Sequence, residues 1–417
     1  MTFTYQQSFS NVLPVNDISK HISSDRKWVP VKDPIEIREY ADQVYTELYE
    51  VYKERVKTKK QTKEAYLFSR EAGLVLWEMA VNIVKGVWTV KGYFPFKVHH
   101  PERTINAPYY DDRIVEQWLI EKYFIPVLSG KIYEFNMACQ VDKGPDKTKE
   151  LIVSTMEYMF KAYGPDYYIF QYDCKKYFDN ISHDKACEKF KDYGICDFAL
   201  SLYRSILSSY SLNDENEDYY CDNKKEGLSY GFPKGNLPSQ WTGIMLLNEL
   251  DWEISFNPDI SISNYRYMDD HVSFCKDKAM ARRCFRYVND RITNGDYGLI
   301  LHPKKTNIYP VSRGITFCGW HFTQDPVTGT VTVTEKQDKK REQLKKLDRV
   351  WSHLDSVGIK KAKEIRYGVI AYLSRGTKSE GLTHKILRKY QLFEGEYDTF
   401  YKGKKNPLGI KCAKDNE

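Results

Sequence analysis

Tyr267-Met268-Asp269-Asp270 sets two adjacent carboxylates behind an aromatic residue. The flanking runs Ile262–Tyr265 and His271–Phe274 are β-prone, so the spacing predicts strand, tight turn, strand, with the aspartates at the bend. Adjacent acids repel, and a fold gains little by setting them at a tight hairpin unless a cation sits there. The chemistry that uses such a pair is two-metal phosphoryl transfer, in which two ions roughly 3.5–4 Å apart stabilise the attacking and leaving oxygens. The plain alternative is a solvated turn, where Asp is common.

A second acid lies upstream, in Tyr172-Asp173-Cys174-Lys175-Lys176-Tyr177-Phe178-Asp179. Tyr167–Tyr172 reads as a buried strand, and Asp173 falls at its C-terminal end, where a sheet presents side chains to a cleft. A strand-end Asp with a hairpin Asp-Asp makes three carboxylates able to share two cations. Between them runs Gly231-Phe232-Pro233-Lys234-Gly235-Asn236-Leu237-Pro238-Ser239-Gln240. Its glycines let backbone approach a ligand, and the helix that follows offers its N-terminus to phosphate. As a bare loop it would simply cap that helix with Ser239.

These sites need a scaffold, and the periodicity supplies one. Helices are expected from Ile35 to about Lys57, with Ile37, Tyr40, Val44, Leu48 and Val51 on one face, and from Thr62 to Ile83. Val87–Val98 reads as strand. Further helices are expected over Asp111–Leu128, over Glu150–Tyr163, from Ser182 (as N-cap) to Phe190, and as one long element over Ser239–Ile254. Asn213–Glu217 reads as an acidic exposed loop. Beyond Thr323, Lys336–Lys346 and Lys360–Arg366 are basic helical patterns with little β character. Residues 1–35 are polar and broken by Pro14, Pro30 and Pro34.

Composition narrows the class. A length of 417 residues with 41% hydrophobic content allows two or three domains with a sizeable core. A net charge of +6 suits a polyanionic partner without demanding one. With 33 tyrosines and 20 phenylalanines beside many Lys and Arg, stacking on bases is available chemistry. The nine cysteines form no Cys-x-x-Cys pair, which argues against a zinc ribbon or a thioredoxin-like motif. Their odd number, the lack of a leader-like N-terminus and the lack of a transmembrane-length apolar run lead us to expect reduced thiols in a soluble cytoplasmic protein with no membrane partner.

From about Tyr93 to about Phe322 the order of motifs resembles the reverse transcriptases, and within them the bacterial non-LTR group. That group includes group II intron, retron, diversity-generating and phage-defence enzymes. Phe96-Lys97-Val98, Arg103-Thr104-Ile105 and Asp112-Arg113-Ile114-Val115 resemble the fingers block, and Gln140–Thr148 with Lys143-Gly144 the next one. Asp173–Asp179 is similar to motif A, Gly231–Gln240 to motif B and Tyr267–Asp270 to motif C. His302-Pro303-Lys304-Lys305-Thr306 resembles motif D, and Ile315–Trp320 the primer-grip hairpin of motif E.

The resemblance implies an α+β right-hand polymerase, with fingers, a palm of antiparallel strands backed by helices, and a helical thumb. It assigns 1–90 to an N-terminal helical extension, 91–165 to fingers, 166–322 to palm with part of the fingers inserted, and 323–417 to thumb. The implied activity is that of an RNA-directed DNA polymerase with two Mg²⁺ ions, replaceable by Mn²⁺. Asp173, Asp269 and Asp270, with Cys174 in the metal set, would hold the ions. Phe178, five residues after Asp173, would be the steric gate that excludes a 2′-hydroxyl and selects dNTPs. Lys97 and Arg103 would contact the triphosphate, Lys234, Gly235, Gln240 and Tyr267 would line the substrate, and Lys305, before Lys304, would protonate the leaving pyrophosphate. Implied partners are a template RNA, a structured non-coding one, a DNA or RNA primer, dNTPs and a second copy of the chain. Two departures stand out. Lys234 replaces the Gln of many relatives, and motif B ends Ser239-Gln240 where many have Ser-Pro. The second favours the diversity-generating and defence enzymes, the first the defence group. Untemplated or protein-primed synthesis on the same palm, and a non-catalytic nucleic-acid-binding scaffold, are the other readings.

Overall fold

The computed structural model describes residues 29–58, 62–99, 102–210, 229–294, 297–335, 337–373 and 380–392. The acidic loop expected at 213–217 and most of the polar N-terminal stretch lie outside them. Two compact units divide the chain. One comprises Met1–Gly144 with Tyr168–Tyr309, the other Pro145–Tyr167 with Pro310–Glu417.

The first unit opens with the helix Pro34–Thr58, which buries Ala41, Val44, Leu48 and Val51. That stripe at spacings of three and four packs on the helices Ala72–Val84 and Tyr110–Leu119. Fully burying one such Val or Leu contributes roughly 1.5–3 kcal/mol. The single helix expected from Thr62 is two, Lys63–Ser69 and Ala72–Val84, with Thr62 capping the first through its side chain. The chain then forms the antiparallel ribbon β1 (Tyr93–His99) and β2 (Glu102–Pro108). The helix Tyr110–Leu119 continues through a π-turn, Ile120–Phe124, into Ile125–Leu128.

The central sheet has the order β4-β5-β3-β6, with β3 at Tyr168–Tyr172, β4 at Ser263–Tyr267, β5 at Asp270–Cys275 and β6 at Asn307–Pro310. Strands β3 and β4 both run antiparallel to β5. The interior residues of β5 are all buried, because the helix Lys278–Asn289 covers one face. The long helix expected over Ser239–Ile254 is instead Leu237–Met245 followed by Asn248–Phe256, with Asn236 rather than Ser239 as cap. Asn236 accepts from the Ser239 amide at 3.1 Å, and proline at the second helical position suits a helix start.

The second unit pairs the helix Pro145–Tyr163 with an antiparallel sheet, β7 (Ile315–Phe317), β8 (Trp320–Gln324) and β9 (Val331–Glu335). The helices Gln337–Ser352, Ile359–Leu373 and Glu380–Lys389 enclose a small core of their own, with Leu347, Val369, Ile370, Leu373, Ile386, Leu387 and Tyr390. No described helix is long and apolar enough to cross a membrane.

Candidate active site

The β4–β5 hairpin closes on the pair Tyr267–Asp270, leaving Met268 and Asp269 as a two-residue turn. Asp269 therefore sits in the bend, whereas Asp270 begins β5. Met268 is left-handed, with φ 57°. A residue with a Cβ pays roughly 1–2 kcal/mol for that conformation, so something must hold it. Arg266 does so from beneath. Its side chain is wholly buried, and Nη1 donates to the carbonyls of Met268 and Gly243, both at 2.9 Å. Nη2 donates to the Ile244 carbonyl at 2.5 Å, and Nε to Asp251 Oδ2 at 2.6 Å. Burial pushes the Asp251 carboxyl up to about 6, against the pull of the guanidinium.

Asp173 leaves β3 beside Asp270, because Tyr172 pairs with His271 in the register of β3 and β5. The two side chains thus lie at adjoining strand ends. Burial, then the charges of Asp269 and Asp173, push Asp270 up to about 6, with Lys305 opposing. Lys305 comes from a turn docked on the Asp173 backbone: the His302 amide donates to the Asp173 carbonyl at 2.8 Å, and the Lys305 amide to the His302 carbonyl at 3.0 Å. From there its ammonium binds Asp173 Oδ2. Burial works against that ammonium, but the bond to Asp173 and the charges of Asp173, Asp270 and Asp269 outweigh it and raise its pKa. Below the acids, the buried His271 ring stacks on Tyr172 at 4.5 Å. Burial, then the Arg266 charge, push His271 down to about 3, so it is neutral.

Three carboxylates lie on these adjoining strand ends, Lys305 pairs with that of Asp173, and hard oxygen donors suit Mg²⁺ or Mn²⁺. The donor chemistry thus fits divalent ions. Among the described residues, no three or more Asp, Glu, His or Cys side chains are already gathered as a metal shell, and Lys305 meets the Asp173 charge. Cys174 does not suit the metal set through its thiol. That side chain is fully buried, and burial, with the charges of Asp269 and Asp173, keeps it protonated.

Phe178 is half-buried on the short helix Tyr177–Asn180. Its carbonyl accepts from the Phe232 amide at 2.9 Å, and the Gly231 amide donates to the Ile181 carbonyl at 3.0 Å. Lys234 forms an ion pair with Asp179, the residue after Phe178, at 2.9 Å. The loop around Gly235 (φ 117°) packs so closely on β2 that a Cβ there would lie 2.6 Å from Ile105 Cγ2. Gln240 and Tyr267 are half-buried, Gln240 on the Leu237–Met245 helix and Tyr267 at the end of β4. Lys97 is exposed on β1 opposite Thr104, and Arg103 lies on β2 opposite Val98. No described contact joins Lys97 to the carboxylates.

Arg266, Asp251, Asn236 and Glu116 were not among the sequence-derived site residues. The Asn236 amide donates to Glu116 Oε1 at 3.0 Å, tying the loop before the Leu237–Met245 helix to the Tyr110–Leu119 helix. The one available signal for Asp251 was its place between Leu250 and Trp252, since a charge drawn into the interior with them needs a partner.

An antiparallel sheet with acids at a strand end and a hairpin, backed by helices, defines an α+β right-hand nucleotidyltransferase. The reverse transcriptase (RNA-dependent DNA polymerase) family model matches residues 97–322, more than half of the sequence. The chain belongs to that family, whose members are RNA-directed DNA polymerases. No curated protein matches it. Among solved structures, apo telomerase from Candida tropicalis, truncated from its C-terminal domain, is 14% identical, with 56% of this chain and 52% of that one covered and a TM-score of 0.39. Telomerase from Candida albicans in complex with a TWJ fragment of telomeric RNA is 13% identical, with 75% and 63% covered and a TM-score of 0.44. The chain spans less than two thirds of the length of either.

Proposed function

We propose that the protein copies an RNA template into DNA, with Asp173, Asp269 and Asp270 as the residues that hold two divalent ions. One observation carries this: the register of β3 and β5 sets the strand-end Asp173 beside the hairpin Asp270, with Lys305 on the Asp173 carboxylate. When bound, the ions supply activation of the primer 3′-hydroxyl and neutralisation of the triphosphate. The chain's own groups do the rest. Lys305, paired with Asp173, protonates the leaving pyrophosphate, and Phe178 selects the deoxyribose. Lys97 and Arg103 on the β1–β2 ribbon meet the triphosphate, while Gly235, Gln240 and Tyr267 line the nucleotide. Residues 91–165 act as fingers, 166–322 as palm and 323–417 as a thumb that grips phosphates without reading sequence.

We further propose a bacterial non-LTR enzyme of the phage-defence group, working in the cytoplasm on a dedicated structured RNA. Ser239-Gln240 and Lys234 support that choice over the group II intron and diversity-generating enzymes. Primer extension on an RNA template tests the activity: Asp269→Asn with Asp270→Asn should reduce it by at least about 10³-fold while leaving RNA binding in place. Full synthesis by that variant would remove the acids from the chemistry. Sequencing the nucleic acid that co-purifies with the wild-type protein identifies the template, and a variable-repeat transcript there would favour the diversity-generating group.

A further inference from the structure

Gly243 stands in the interior of the Leu237–Met245 helix, where glycine is the least favourable ordinary residue. The reason is spatial. A Cβ added there would lie 3.0 Å from Phe178 Cζ, 3.1 Å from Phe178 Cε1 and 3.3 Å from Met268 Sδ. Glycine at this one position therefore lets the motif A ring, the motif C turn and the motif B helix meet.

The backbone at Gly243 cannot retreat to make room. Its carbonyl accepts from Arg266 Nη1 at 2.9 Å and from the Tyr177 hydroxyl at 3.1 Å. The Phe178 backbone is held as well, by the Phe232 amide and, one residue on, by the Lys234–Asp179 pair. The Phe178 ring makes the two closest approaches and so must yield first, by pivoting away from the helix. The ring is half-buried, and its edge and the thioether of Met268, one residue before Asp269, approach the same point at Gly243. We infer that Gly243 sets the depth to which the Phe178 ring enters the nucleotide pocket, and is thereby a specificity-determining residue for the sugar. The inference rests on the gate role given to Phe178 under the proposed function.

The test is steady-state incorporation of a dNTP and of the matching rNTP by the full chain with Gly243→Ala. Pushed away from the helix, the ring should narrow the pocket. The dNTP KM is expected to rise about fivefold with kcat within about twofold, and rNTP use to fall further, so that the preference for dNTP increases. Phe178→Leu combined with Gly243→Ala should restore the dNTP KM, because the smaller side chain removes the overlap. A general packing defect would not be rescued in this way. If Met268→Ala rescues Gly243→Ala and Phe178→Leu does not, the glycine serves the motif C turn and the inference falls. It also falls if Phe178→Ala relaxes sugar choice while Gly243→Ala changes neither KM nor preference. If Phe178→Ala itself leaves sugar choice unchanged, the gate reading fails first and takes this inference with it.

Discussion

Two hairpins whose two-residue turns both lie among the described residues are held by different physics. In the β7–β8 hairpin the turn residues Cys318 and Gly319 both have positive φ, 50° and 86°. That is the mirror-image turn whose twist matches the flanking strands, with glycine supplying the freedom it needs. In the β4–β5 hairpin the turn is Met268-Asp269, with no glycine. Its left-handed Met268 is fixed by a buried guanidinium anchored on Asp251. One hairpin is written in its own turn residues, the other is imposed by the interior beneath it. A turn that must display a carboxylate to a cleft gives up residues that would make it locally stable, and a distant anchor compensates.

The largest effect that can break this contrast lies at the anchor. Arg266→Met leaves Asp251 buried and uncompensated, which should cost about 3–5 kcal/mol and reduce polymerase activity by at least about 10²-fold. Stability alone would not prove anchoring, so the decisive variant is Arg266→Met with Asp251→Leu. An apolar pair should recover most of the stability measured by urea unfolding, yet leave the Met268 carbonyl unheld and activity low. Recovery of full primer extension along with stability would show that the turn keeps its shape unaided.

A middle-sized effect sharpens the contrast at the loop before the Leu237–Met245 helix, which is also held from outside. Burial, above all, raises Glu116 from the usual 4.5 to about 8, with the Asp112 charge adding and the Asn236 bond opposing. Folding therefore binds a proton between those two values. Stability is full below the lower one and is lost as pH rises through about 8. Glu116→Gln keeps an acceptor for Asn236 without that titration. It should flatten the decline and leave the variant roughly 1–3 kcal/mol more stable than wild type near pH 8. Some slope persists because Asp112, raised to about 7 chiefly by burial, titrates in the same window. Unchanged pH dependence would show that Glu116 is ionised in the fold.

How much of this was legible follows the same division between local and imposed structure. The β4–β5 hairpin, the strand ending at Asp173 and the Ser182 cap could be read, because alternation, turn residues and capping chemistry are local signals. The break at 246–247 was not, because the run there has neither Gly nor Pro and keeps helical periodicity. It arises from tertiary bonds: Asn248 accepts from the Tyr133 amide at 2.7 Å and donates to the Lys131 carbonyl at 2.8 Å. Arg266 escaped for a related reason. A charged residue in a strand reads as solvent-facing until its partner, fifteen residues upstream on a helix, is seen. The Asn236 cap was readable, since Asn-Leu-Pro is a sound helix start, and Ser239, an equally good capping residue by type, falls inside the helix.

The smallest effect comes from making the same change at the first position of both turns. Cys318→Asn creates Asn-Gly, the pair best suited to a mirror-image turn, and Asn enters the left-handed region more readily than Cys. The β7–β8 hairpin should gain about 0.5–1 kcal/mol, seen as a higher urea midpoint at unchanged m-value. Met268→Asn gains the same backbone preference. It also gives up the thioether that closes against the Gly243 backbone, and the turn it would favour is already enforced by Arg266. The two terms offset, leaving no measurable stabilisation. If Asn proves equally stabilising at both positions, Met268 answers to its own backbone as Cys318 does, and the buried arginine is a neighbour of the turn rather than its support.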